Sequence, residues 1–97
     1  MYKIVFTKQA MKDLENLKKA NIAQKAKGLV DIIRENPYQN PPKYEKLVGN
    51  LYGMLSRRIT IHHRLVYQVY EKSFSESDVQ YKGTVKIIRM WTHYAGM

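Results

Sequence analysis

At 97 residues, with no cysteine and 17 Lys and Arg against eight Asp and Glu, the chain is short and strongly basic, with a formal charge of +9. That length allows one modest core and one domain over residues 1–97, the 44% apolar fraction argues for a globular fold, and no apolar run approaches the roughly 18–20 residues of a membrane span. Disulfides and thiolate metal sites are excluded, and the opening Met1-Tyr2-Lys3-Ile4-Val5-Phe6 is too short for the apolar core of a signal peptide.

Tyr2–Phe6 is β-rich and predicts a first strand. Thr7 can cap a following helix, because its hydroxyl can accept an orphan N–H of the first turn. Ala10, Met11, Leu14 and Leu17 recur at helical spacing, and Lys18-Lys19 close that helix with charges that suit its C-terminal dipole. Asn21 is expected to begin a second helix, with Ile22, Ala26, Leu29, Val30 and Ile33 inward. Gly28 weakens its middle by up to about 1 kcal/mol, and Pro37 stops it. Pro37 to Lys43 reads as a loop leading into Glu45. Leu51–Tyr70 and Val85–Tyr94 turn towards strand composition. Between them Glu71–Asp78 is polar and turn-rich, Val79-Gln80-Tyr81 is either a hairpin arm or loop, and Lys82-Gly83 is a turn signal. The order β-α-α-β-β-β predicts an α+β domain with two helices on one face of a mostly antiparallel sheet.

The register of the central strand pair can be argued from side-chain chemistry. A two-residue loop at Ile61-His62 would pair Ile59 with Arg64 and Arg58 with Leu65, mixing polar and apolar groups on both faces. A three-residue connection, Ile61-His62-His63, pairs Thr60 with Arg64, Ile59 with Leu65 and Leu55 with Val69. Ser56 then meets Gln68 and Arg58 meets Val66, which separates the faces and puts Arg58 and Arg64 on one side. Arg57 falls on the apolar side beside Tyr67. Alternation puts His93 and Tyr94 on opposite faces of the last strand.

A charge this high draws a small domain towards polyanions by steering and counterion release. Lysines between Lys8 and Lys27 read as solvated helix faces, which leaves Lys43, Lys46, Arg57, Arg58 and Arg64 as the candidate RNA or phosphate contacts. With Glu45 and a near-terminal His93-Tyr94, the set suits metal-free cleavage of an RNA phosphodiester. That reaction needs a base for the 2′-hydroxyl, an acid for the departing 5′-oxygen, and a permanent cation beside the phosphoryl oxygens. Tyr52, Tyr67 and Trp91 could stack on bases, although Tyr67 and Trp91 read better as core. His62-His63 is not a metal site: adjacent residues diverge, and no Cys or carboxylate lies at ligand spacing. No cofactor motif is present.

The phrase Glu45-Lys46-Leu47 followed by Leu51-Tyr52-Gly53-Met54-Leu55-Ser56-Arg57-Arg58-Ile59-Thr60 and His63-Arg64-Leu65-Val66-Tyr67 resembles the YoeB/Txe branch of the RelE-like bacterial toxins. Residues 1–70 and 85–94 follow that family's order of elements. The resemblance implies the RelE-like fold and a cytoplasmic toxin of a type II toxin–antitoxin pair that binds the ribosome and cuts messenger RNA in the aminoacyl site. It matches the general base to Glu45, the phosphate-stabilising arginine to Arg64, the general acid and following aromatic to His93 and Tyr94, and a second basic position to Arg58. The implied partners are an antitoxin with an acidic segment, the 70S ribosome with its mRNA, a second toxin copy, and operator DNA through the antitoxin complex only. No metal, cofactor or membrane is implied. The chain departs from the pattern at His62, usually acidic, and at Val48, often lysine, and it is longer between Tyr67 and His93, with Ala95-Gly96-Met97 beyond Tyr94. Two alternatives stay open on the residues alone. One is a gyrase-poisoning toxin of the ParE type; the other is a non-catalytic RNA- or DNA-binding module.

Overall fold

In the computed structural model, which describes residues 1–91, Tyr2–Phe6 forms the first strand, β1, and Thr7 turns the chain into helix α1 (Lys8–Lys19). The Thr7 hydroxyl accepts from the Ala10 N–H at 3.0 Å and donates to the Ile88 carbonyl at 2.9 Å, so one side chain caps the helix and ties it to the last strand. Asn21 does not begin the second helix. It sits at φ 61° and ends α1, with Asn21 N–H bonding Lys18 O at 3.1 Å and Ile22 N–H bonding Leu17 O at 3.0 Å. These two bonds satisfy carbonyls that the helix end would leave open, and Asn tolerates the left-handed backbone they require. Helix α2 therefore runs Ala23–Glu35, burying Ala23, Ala26, Val30 and Ile33. It stops where Asn36 turns extended ahead of Pro37.

The remaining elements are β2 (Glu45–Lys46), a short 3₁₀ turn (Gly49–Leu51), β3 (Leu55–Arg58), β4 (Arg64–Tyr70), β5 (Phe74–Glu76), β6 (Val79–Tyr81) and β7 (Gly83–Arg89). Four of them join β1 in one sheet in the order β1-β7-β4-β3-β2, antiparallel except where β1 runs parallel to β7. Leu55, Leu65, Tyr67, Val85 and Ile87 share the face that packs with Ala10, Leu17, Ala26, Val30 and Ile33 of the helices. The fold is thus α+β, with both helices over one face of a mostly antiparallel sheet. At that face burial supplies about 25 cal/mol for each Å² of apolar surface removed from water.

Gly83 explains how tightly the sheet closes. A Cβ there would lie 2.2 Å from the Tyr70 carbonyl oxygen on β4 and 3.1 Å from the Tyr2 ring on β1, so only glycine fits between them. The polar stretch after Glu71 is not all turn. Phe74–Glu76 pairs with Val79–Tyr81 in a separate hairpin whose turn residues, Ser77 and Asp78, have φ 50° and 65°. Phe74 and Tyr81 stack at 5.1 Å, and Glu76 forms an ion pair with Lys3. At the root of this excursion the Glu71 carboxylate accepts from the Tyr2 and Tyr38 hydroxyls at 2.7 and 3.0 Å. The carboxylate, together with burial, pushes Tyr2 up to about 12, and burial, together with the carboxylate, does the same to Tyr38.

Candidate active site

The β3–β4 register differs from expectation by two positions. Leu55 faces Tyr67, Ser56 faces Val66, Arg57 faces Leu65 and Arg58 faces Arg64. The connection is still three residues, but they are Thr60-Ile61-His62, closed by Ile59 N–H to His63 O at 2.9 Å. Thr60 belongs to the turn because its hydroxyl works there: it accepts from His62 N–H at 3.1 Å and pairs with His63 Nδ1 at 2.8 Å. A shift of two preserves every side chain's face. Arg58 and Arg64 are therefore on one side, as expected, and now directly opposite one another.

The edge strand β2 adds the carboxylate. Glu45 pairs with Ser56, so cross-strand geometry puts Glu45, Ser56, Arg58, Val66 and Arg64 on the face turned away from the helices. Arg64 Nη1 lies 3.4 Å from Glu45 Oε1, with the two side chains 19% and 41% exposed. Pro42, Lys43, Glu45, Ser56, Arg58 and Arg64 line a cleft of about 340 Å³. Its rim is cationic, with Lys43 and Arg58 exposed, and its floor holds the buried Ser56 hydroxyl, which has no hydrogen-bond partner among the described residues. Among the described residues that line it, one carboxylate, two guanidiniums and one ammonium suit an anionic diester, and of these Glu45 is the group able to take a proton.

Two of the cations expected to meet RNA do not reach this cleft. Lys46 follows Glu45 in β2 and pairs with Leu55, so alternation turns it to the other side. Arg57 is 1% exposed on the helix-facing side, which corrects its reading as an RNA contact. Its guanidinium donates to the Tyr67 hydroxyl at 3.0 Å and to the carbonyls of Pro42, Gln39 and Pro37 at 2.6, 2.9 and 3.1 Å. Burial pushes the Tyr67 hydroxyl up, and the adjoining Arg57 charge opposes that shift.

His93 and Tyr94 lie outside the described residues. The described chain ends near the arginines, since Arg89 pairs with Val66 and the Trp91 ring lies 4.5 Å from that of His63. What fixes this end is Asp13, a residue that the sequence reading passed over. Its carboxylate, 1% exposed, accepts from Gln9 Nε2 at 2.9 Å, Met90 N–H at 3.0 Å and Arg89 Nε at 3.1 Å. A charged residue within the apolar stripe of α1, between Ala10 and Leu17, was the available signal. Tyr67 is core, Trp91 packs against the core, and Tyr52 is 83% exposed. Among the described residues no group of three or more His, Cys, Asp and Glu side chains forms a metal site.

Comparison with known proteins gives the family and the fold. Residues 6–94 match the family model described as the YoeB-like toxin of bacterial type II toxin–antitoxin systems. The toxin YoeB of Escherichia coli K12 is 44% identical over 52 residues, which are 54% of this chain and 62% of that protein. Less than two thirds of that curated relative's length is therefore spanned. Among solved structures, a YoeB/ParE toxin from Agrobacterium tumefaciens is similar over 95% of this chain and 99% of its own, at 31% identity and a TM-score of 0.75. A chain of the YoeB–YefM complex from Staphylococcus aureus is similar over 97% and 99%, at 32% identity and a TM-score of 0.71.

Proposed function

This chain belongs to the YoeB-like toxins of bacterial type II toxin–antitoxin systems, and on that premise we propose that it is a metal-independent endoribonuclease acting on messenger RNA in the ribosomal aminoacyl site. The observation that carries the reading is the 3.4 Å approach of Arg64 to Glu45 in a cleft that Arg58 and Lys43 also line. Glu45 takes the proton of the 2′-hydroxyl, and that oxygen forms the new bond to phosphorus. Arg64, with Arg58 opposite it, stabilises the negative charge that builds on the phosphoryl oxygens. The P–O5′ bond breaks and His93 delivers a proton to the leaving oxygen, with Tyr94 helping to orient the phosphate. The products are a 2′,3′-cyclic phosphate and a 5′-hydroxyl. Before substrate arrives, Arg64 engages the base itself; a phosphate competes for the same guanidinium and leaves the carboxylate to act on the 2′-hydroxyl.

The cleft leaves the Glu45 side chain 41% exposed, so the ribosome is assigned the task of bending the RNA for in-line attack. The solved relatives include a toxin–antitoxin complex and a YoeB dimer from Staphylococcus aureus. By analogy we assign this chain an antitoxin with an acidic segment and a second toxin copy as partners, in the cytoplasm, with operator DNA reached only through the antitoxin. Among the described residues no helix is long and apolar enough to cross a membrane.

The test is to map mRNA 5′ ends with and without translating ribosomes, using the parental protein, Arg64→Ala and His93→Ala. Cleavage is expected within aminoacyl-site codons on programmed ribosomes and slow on naked RNA. Each substitution is expected to lower the saturating single-turnover rate about 100- to 1,000-fold with little change in ribosome binding. Equal rates on bound and naked RNA, or parental rates in both variants, would overturn the reading. DNA breakage through gyrase would replace it with the ParE alternative.

A further inference from the structure

We propose that Arg57 is a positioning residue for Glu45, and that its buried guanidinium sets the segment 37–44 so that the carboxylate stands against the Arg58–Arg64 pair. The proposal rests on reading Glu45 as the base. Arg57 is buried on the side of β3 away from the cleft, and among the described residues none of its partners is anionic. A guanidinium cannot escape burial by losing its proton, so its donors must be satisfied by acceptors placed for them. Here three of those acceptors are carbonyls of one proline-rich loop, those of Pro37, Gln39 and Pro42. The Tyr67 hydroxyl both accepts from Arg57 Nε at 3.0 Å and donates to the same Pro37 carbonyl at 2.7 Å. The guanidinium carbon also lies 5.1 Å from the centre of the Tyr44 ring and 5.9 Å from that of Tyr67, within cation–π range of both.

The location of these contacts makes them matter for the site. Pro42 lines the cleft, and Tyr44 immediately precedes Glu45. Strand β2 itself is two residues long, Glu45–Lys46, so its ladder to β3 alone gives the carboxylate little restraint. Arg57 sits between Ser56, which pairs with Glu45, and Arg58, which pairs with Arg64. One side chain therefore connects the approach to the base with the strand that carries the phosphate-facing arginine. Lysine cannot reproduce this, because its three donors radiate from one atom while the planar fork spans acceptors several ångströms apart.

The experiment compares parental protein with Arg57→Lys and Tyr67→Phe. Thermal unfolding sets the folded fraction, and single-turnover cleavage of ribosome-bound mRNA is followed across toxin concentrations. Per folded molecule, the saturating rate is expected to fall about 10- to 100-fold in Arg57→Lys and by a smaller factor in Tyr67→Phe. The half-saturating concentration should stay within about twofold, because the groups that bind RNA face the other side of the sheet. A purely structural role would lower the folded fraction and leave the rate per folded molecule unchanged. If the parental protein does not cleave, the endoribonuclease reading is overturned and the positioning role falls with it. If the parent cleaves and both folded variants match its saturating rate, only the positioning role is overturned. The same holds if the deficit lies wholly in half-saturation. Where Arg57→Lys does not fold, Tyr67→Phe decides by the same criterion.

Discussion

Asp13→Ala should be among the more destabilising single substitutions in this chain, although its hydrogen-bond partners, Gln9, Arg89 and Met90, are not among the residues that line the cleft. Its carboxylate is 1% exposed and accepts three hydrogen bonds, two of them from the end of β7 and the residue after it. Removing it leaves the Met90 N–H buried and unpaired, at about 1–3 kcal/mol. The Arg89 side chain is 34% exposed and can turn to water, so losing that pair adds no more than about 1 kcal/mol. The sum, about 3 kcal/mol, corresponds to a fall of roughly 15 °C in Tm for a domain of this size. Acid dependence supplies the second readout. Burial raises the Asp13 pKa, but the Met90 N–H, the Gln9 amide and the Arg89 guanidinium together outweigh it, so the carboxyl lies below its ordinary value. A depressed native pKa contributes stability that is full above the unfolded value, about 3.9, and is lost as pH falls through the native one. Urea unfolding from pH 7 to pH 2 should therefore show a steeper acid loss in the parent than in Asp13→Asn, which cannot titrate. A cost below about 1 kcal/mol for Asp13→Ala, or coincident acid limbs for parent and Asp13→Asn, would refute this account of the strand anchor.

Two further outcomes follow from the same physics. Gly28→Ala and Gly83→Ala should have opposite signs in thermal unfolding. Nothing lies within 4 Å of a Cβ at Gly28, so alanine should stabilise α2 by up to about 1 kcal/mol, whereas at Gly83 the new methyl meets Tyr70 O at 2.2 Å. The latter should cost about 3 kcal/mol, near the upper end for overpacking; two changes of the same sign would show that the β4–β7 spacing is misjudged. Cleavage should survive chelation of the isolated protein with EDTA before ribosomes are added, and restoration of lost activity by one transition metal would contradict the proposed acid–base mechanism.

Much of the fold was written locally. The first strand, the Thr7 cap, the apolar stripes of both helices (apart from Met11, which is exposed, and Ile22, which precedes α2) and the stop before Pro37 each depend on residues within a turn or two of one another. The phrase running from Glu45 to Tyr67 also carried the resemblance to the family to which the chain belongs. Face assignment survived an error in register for a related reason: a shift of two residues leaves every side chain where it was, so Arg58 and Arg64 met regardless. Local pattern failed where one side chain had two uses. Asn21 looked like a helix start and serves as a helix end, and Thr60 looked like a strand residue and belongs to the turn. What only the tertiary structure decided is which distant groups complete one another. Asp13 and Met90 are 77 positions apart, and Arg57 takes its carbonyl acceptors from a loop 15 to 20 residues upstream. No periodicity records such pairings. A buried charge is stable only where the folded chain happens to converge its partners, and that convergence is a property of the packed whole.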